Sequence, residues 1–113
     1  GADAAAARLL ELPEFQRART VKVGLDPVLA PVRLAVLESG KVLLVPQRAG
    51  FLRRIDPADL GGHNISHAAS GEGARSVGAP FDLDASGEVD LIVAGSAAVS
   101  PSTGARLGRG LGL

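Results

Sequence analysis

The sequence predicts a three-layer α/β open sheet, mostly parallel, folded as a single domain. Three observations predict it. Lys41-Val42-Leu43-Leu44-Val45-Pro46 and Asp90-Leu91-Ile92-Val93-Ala94-Gly95 are unbroken apolar runs, the pattern of strands covered on both faces. From Thr20 to Pro46 a strand, a helix and a second strand follow within about thirty residues, which makes a βαβ unit with a right-handed crossover. The length of 113 residues allows one core only, because a chain of that size buries roughly 65% of the surface its unfolded form exposes.

Each element has a local reason. Asp3 is placed to cap an Ala-rich helix over 3–11, Leu9 and Leu12 give that helix an apolar edge, and Pro13 ends it. Pro13 also suits the first turn of a short helix over 13–18, in which Phe15 and Ala18 face the same way. Thr20-Val21-Lys22-Val23 is a short β-branched strand bounded by Gly24 and Asp26-Pro27. Pro31 opens the crossover helix, Val32, Ala35 and Val36 form its stripe, and Gly40 stands where a left-handed cap is wanted. Residues 51–55 form a further strand, antiparallel to the one before it. Between 56 and 88, Pro57, Gly61, Gly62, Gly71, Gly73, Gly78, Pro80 and Gly87 break every period, so one short helix near 65–69 is all that is expected. Residues 96–113 read as a loop dense in small residues, and there is no internal repeat.

Composition narrows the function. Twelve basic and twelve acidic side chains cancel, which argues against a partner such as nucleic acid. The longest apolar stretch, 91–99, is far short of the roughly 20 residues of a membrane span, so no membrane association is expected. With no Cys there are no disulfides or thiolate metal sites, and an intracellular, cytoplasmic location is the simplest expectation. The chain has three Phe and no Trp, Tyr or Met, so Ala, Val and Leu carry the packing. The chain opens without Met and closes in alternating glycines, where a fold would more naturally continue, and reads as part of a longer polypeptide. A sheet surface left uncovered by such a division would favour a homo-oligomer.

The segment richest in chemistry is Gly104-Ala105-Arg106-Leu107-Gly108-Arg109-Gly110-Leu111-Gly112. Glycines let backbone amides converge on an anion, and the guanidinium forks of Arg106 and Arg109 match phosphate oxygens. The apolar strand at 91–94 would deliver this segment to the carboxyl edge of the sheet, where open α/β sheets bind ligands. By local pattern alone it reads more readily as a solvated tail, being neither a Walker motif nor a dinucleotide fingerprint in its usual place. His63 and His67, four apart, would share one helical face and make half a metal site, but a third ligand is missing and two surface histidines are the plainer reading. No metal site is therefore assigned. Asp59, Glu72, Asp82, Asp84, Glu88 and Asp90 read as solvated or turn-capping carboxylates. Strand alternation sends Arg53 and Arg54 to opposite faces, so at most one could join an anion site. Ser96, Ser100, Ser102 and Thr103 lack a Gly-x-Ser-x-Gly elbow, which sets a hydrolase aside.

Leu12-Pro13-Glu14-Phe15 leading into Val21-Lys22-Val23, then Gly40 to Pro46, and above all residues 90–100 with 104–110, resemble the 5-formyltetrahydrofolate cyclo-ligase (methenyltetrahydrofolate synthetase) family, in its divergent cyclo-ligase-like branch. The resemblance covers most of the chain. It implies a Rossmann-like fold of the kind shared with ribose-phosphate isomerases and CoA transferases. It also implies an ATP-dependent carbon-nitrogen ligase that phosphorylates the formyl oxygen of a folate substrate, after which the neighbouring nitrogen closes the ring and phosphate leaves. On that likeness Arg106, Gly108, Arg109, Gly110 and Gly112 fall on the phosphate-binding motif. Mg would accompany ATP, although Val99-Ser100-Pro101 stands where the enzymes present a carboxylate. Binding rather than turnover is the expectation for this stretch of chain, and a non-catalytic nucleotide- or partner-binding module is the alternative.

Overall fold

The computed structural model describes residues 2–48, 51–60, 64–82, 89–94, 97–99 and 106–107. α1 (Ala2–Glu11) and α2 (Pro13–Arg17) are separated at Leu12, as Pro13 requires, and lead into β1 (Thr20–Val23). A 3-10 turn at Pro27–Leu29 runs into α3 (Ala30–Glu38), with Pro31 in its first turn. Gly40 then has φ 76°, the left-handed conformation that a residue without Cβ adopts at low cost. β2 (Val42–Arg48) and β3 (Phe51–Ile55) pair antiparallel, with a register shift between Pro46 and Arg48.

α4 (Ile65–Ala69) lies where the sequence places a short helix, and Asn64 Oδ1 caps it by accepting from Ser66 N at 2.7 Å. The elements that follow, α5 (Gly71–Val77) and β4 (Ala79–Asp82), were hidden among the glycines. Their cause is local. Ser70 Oγ accepts from Gly73 N at 2.9 Å and donates to the His67 carbonyl at 2.6 Å, which turns the chain sharply from α4 into α5. Gly73 is there for closeness, since an added Cβ would overlap the His67 carbonyl. β5 (Leu91–Ala94), β6 (Ala97–Val99) and β7 (Arg106–Leu107) complete the description. The expectation of a loop after 95 is thus corrected for residues 97–99 and 106–107: β6 pairs along the edge of β5, and β7 along that of β6.

The sheet order is β4-β3-β2-β1-β5-β6-β7. β1 pairs parallel with β2 (Val21↔Leu43) and with β5 (Val21↔Leu91), while β2–β3, β3–β4, β5–β6 and β6–β7 are antiparallel. The α/β open sheet is therefore as expected, but its parallel part is confined to the three central strands and the flanks make it mixed. Val21, Val23, Leu43, Val45, Ile55, Leu91 and Val93 alternate onto one face and join a single core with Leu9, Phe15, Val32, Val36, Leu37, Ala68 and Ala74 from the helices. Among the described residues the helices form one layer there, through contacts of α1 with α3, α3 with α4 and α4 with α5. The opposite face carries half-buried Lys22, Ile92 and Arg54 and fully buried Leu44. Lys41 ties α2 to the start of β2: its Nζ donates to the Ala18 carbonyl at 2.7 Å and lies 4.8 Å from the centroid of the buried Phe15 ring, a cation–π contact worth about 0.5–1 kcal/mol.

Gly40→Ala tests the cap in isolation, because a Cβ at residue 40 would meet no atom within 4 Å and only the backbone is strained. It is expected to lower unfolding free energy by about 1–2 kcal/mol in urea titration.

Candidate functional site

The chain leaves β1 towards β2 and returns to β5 on the other flank, so strand order reverses at β1. Open α/β sheets bind ligands beyond the carboxyl ends of the strands at such a reversal. Here the two ends are held together by Gly24 N, which donates to the Val93 carbonyl at 3.3 Å. Beyond it Asp26 Oδ1 accepts from Val28 N at 3.0 Å and starts the 3-10 turn with Pro27. A cleft of about 770 Å³ opens beside this turn, lined by Leu25 and Pro27 on one wall and by Gly71, Glu72, Arg75 and Ser76 on the other. That volume is within the range of small-molecule sites, although the cleft is shallow and open, with Pro27, Glu72, Arg75 and Ser76 exposed.

Behind the turn lies Arg33, fully buried on α3. Its Nη1 donates to the carbonyls of Gly24 (2.6 Å) and Asp26 (3.0 Å), and its Nε to that of Ala69 (2.6 Å). Desolvation lowers its pKa from the ordinary arginine value, and the nearby Asp26 charge partly opposes this. The sequence reading missed Arg33. The signal was present, since Leu29 and Leu37 stand one turn before and after it, both buried, which puts residue 33 on the core face of α3.

The residues singled out from sequence fall in different places. Arg106 opens β7, in register with Val99, which is in register with Ile92 of β5. Gly108, Arg109, Gly110 and Gly112 lie outside the described residues. The chain does not pass straight from β5 to the Gly/Arg segment, as expected. It folds back through β6 first, and β7 then runs in the same direction as β5, so its carboxyl end is on the edge of the sheet where β1 and β5 also end. His63 lies outside the described residues, and α4 begins after its extended N-cap Asn64 (φ −74°, ψ 129°). His67 is exposed, and among the described residues no three His, Asp or Glu side chains converge as a metal site.

Arg53 and Arg54 part as alternation requires and both serve the structure. Arg53 Nη1 donates to the Gly78 carbonyl at 2.7 Å, and Arg54 pairs with Asp56 at 3.2 Å and Asp59 at 3.9 Å. Asp90 lies at the other end of the parallel strands. Its Oδ2 accepts from Arg19 N (2.9 Å) and Thr20 N (3.1 Å), and its own N–H donates to the Thr20 carbonyl (2.9 Å), so it starts the β1–β5 ladder. Asp84 and Glu88 are outside the description.

Fold and crevice together define a switch-point α/β domain, the class whose ligands occupy the carboxyl edge of the sheet. Within that class, the sequence profile of the 5-formyltetrahydrofolate cyclo-ligase family matches residues 1–113, and the chain belongs to that family. It is 42% identical over 116 residues to the methenyltetrahydrofolate synthase domain-containing protein of Mus musculus, covering 99% of this chain and 31% of that protein. The proteins of the same description from Homo sapiens and Danio rerio are 40% and 36% identical, again over 99% of this chain and 30% of their own length. The chain therefore spans under a third of the curated relatives it matches. No solved structure matches it, and among the described residues no helix is long and apolar enough to cross a membrane.

Asp90→Ala leaves two strand-end amides without their acceptor and is expected to cost about 1–3 kcal/mol of stability. Asp90→Asn keeps an oxygen at that place and is expected to restore most of the loss, both read by thermal unfolding.

Proposed function

We propose that this chain is an ATP-binding cyclo-ligase domain whose site lies at the carboxyl edge of β1 and β5. The observation that carries the reading is the direction of β7: it runs with β5, so its last residue, Leu107, lies towards the edge where β1 and β5 end. In this reading Arg106 and Arg109 hold the phosphates of ATP, and the amides around Gly108, Gly110 and Gly112 complete the cradle. Phosphoryl transfer asks the protein mainly to position the reactants and to stabilise spreading negative charge, which fixed guanidinium groups do. The formyl oxygen of 5-formyltetrahydrofolate accepts the phosphoryl group and ADP is released. The neighbouring nitrogen then closes the ring, and phosphate leaves with the formation of 5,10-methenyltetrahydrofolate.

The residues do not form a preassembled magnesium site among those described. Magnesium commonly binds through one or two carboxylates plus substrate phosphates, so in this reading it arrives on the triphosphate, and the protein groups assigned to ATP are the arginines and glycine amides. Val99-Ser100-Pro101, without a carboxylate where the family's enzymes present one, favours a second reading, a module that binds nucleotide without turning it over.

Calorimetry and a turnover assay separate the two. Mg-ATP is expected to bind, and Arg106→Ala with Arg109→Ala is expected to weaken it at least about tenfold, since a hydrogen bond to a charged group contributes about 1.5–3 kcal/mol. Unchanged affinity in the double variant would remove the phosphate reading altogether. Formation of the methenyl product from 5-formyltetrahydrofolate and Mg-ATP establishes the ligase, while binding without product selects the module.

A further inference from the structure

Arg33 is a charged side chain with no exposed surface, in a core otherwise made of Val, Leu, Ile, Phe and Ala. Its hydrogen-bond partners are three backbone carbonyls and no carboxylate. Burying a charge without an ion pair is costly, and an apolar side chain of similar volume would normally pack there at lower cost. Core packing therefore does not account for it. What the guanidinium does that no aliphatic group does is reach two separate segments with one rigid fork.

Those segments are the two walls of the 770 Å³ cleft. Gly24 and Asp26 flank Leu25 and precede Pro27, the apolar wall. Ala69 ends α4 and leads through Ser70 into Gly71, Glu72, Arg75 and Ser76, the charged wall. Where the walls meet, a Cβ added at Gly71 would be in ordinary van der Waals contact with the Leu25 carbonyl, at 3.8 Å. Nη1 holds one wall and Nε the other, so the spacing of the walls is set by a planar group that does not flex.

We propose that Arg33 is a positioning residue: it fixes the width of the cleft between the 24–27 turn and α5, and that cleft receives the folate. The second clause rests on the cyclo-ligase reading above. Its lining offers Leu25 and Pro27 to flat heteroaromatic rings, Arg75 to a carboxylate and Glu72 to a ring amino group. ATP, placed at the β1–β5 edge and the Gly/Arg segment, does not depend on the cleft width.

The test compares Arg33→Lys with the unsubstituted chain by amide hydrogen exchange and by calorimetry with 5-formyltetrahydrofolate and with Mg-ATP. A lysine keeps the charge but lacks the fork that spans both walls. Exchange at residues 24–29 and at 69–73 is expected to speed up together by at least about tenfold, with Val21 and Leu44 unchanged, as for the loss of one charge-assisted hydrogen bond. Affinity for the folate is expected to fall at least about tenfold and that for Mg-ATP to stay within about twofold, a split that general loss of stability would not produce. Exchange that is unaltered, rises evenly along the chain, or rises at one wall only overturns the proposal. So does an R33K chain that fails to fold, because a residue acting on the walls leaves the sheet standing. If the unsubstituted chain does not bind the folate, the substrate reading fails by itself, and the exchange data still decide whether Arg33 holds the walls.

Discussion

Everything in this molecule follows from β1 having a parallel neighbour on each side. A parallel neighbour cannot be reached by a hairpin; it needs a crossover, and the crossovers that carry α3 and then α4 and α5 lay a helical layer over one face of the sheet. Leaving β1 by one flank and returning by the other makes a strand-order reversal, and a reversal leaves a crevice where the two chain paths diverge. Fully buried Val21, Val23, Leu43, Leu91 and Val93 hold the three strands to that layer. Asp90 fixes the amino end of the β1–β5 pair and Gly24 N closes its carboxyl end, so the crevice has a rigid floor.

Much of this was legible in the residues. β1, α3 and β2 could be read because apolar runs, Pro31 and Gly40 all point to the same answer, and β3 because it follows β2 closely. The flanks were not. α5 contains two glycines, and its existence depends on the Ser70 cap and on Gly73 approaching the His67 carbonyl, neither of which has a periodic signature. β6 consists of Ala97, Ala98 and Val99, a segment too short and too rich in Ala to show a strand pattern of its own, and it pairs with Ile92, Val93 and Ala94. The antiparallel pairing of β3 with β2 could be read, but the extent of the antiparallel flanks was lost with β4, β6 and β7.

The site was legible as chemistry and only partly as geometry. The Gly/Arg segment stands out by composition; of it the structure describes Arg106 and Leu107, which form β7 after the chain has folded back through β6. Arg33 was overlooked because a lone arginine in a helix normally reads as solvated. Its neighbours one turn away showed otherwise, but its carbonyl partners come from residues 24, 26 and 69, and only the tertiary fold brings them together.

The central claim is that a triphosphate is gripped at the carboxyl edge of β1 and β5 by the chain that follows β7. A crystal structure of this chain with magnesium and a non-hydrolysable ATP analogue tests it most directly. The account predicts phosphate density between the carboxyl ends of β1 and β5 and residues 108–112. Nucleotide seated at another edge of the sheet, or residues 108–112 directed away from bound nucleotide, would contradict it.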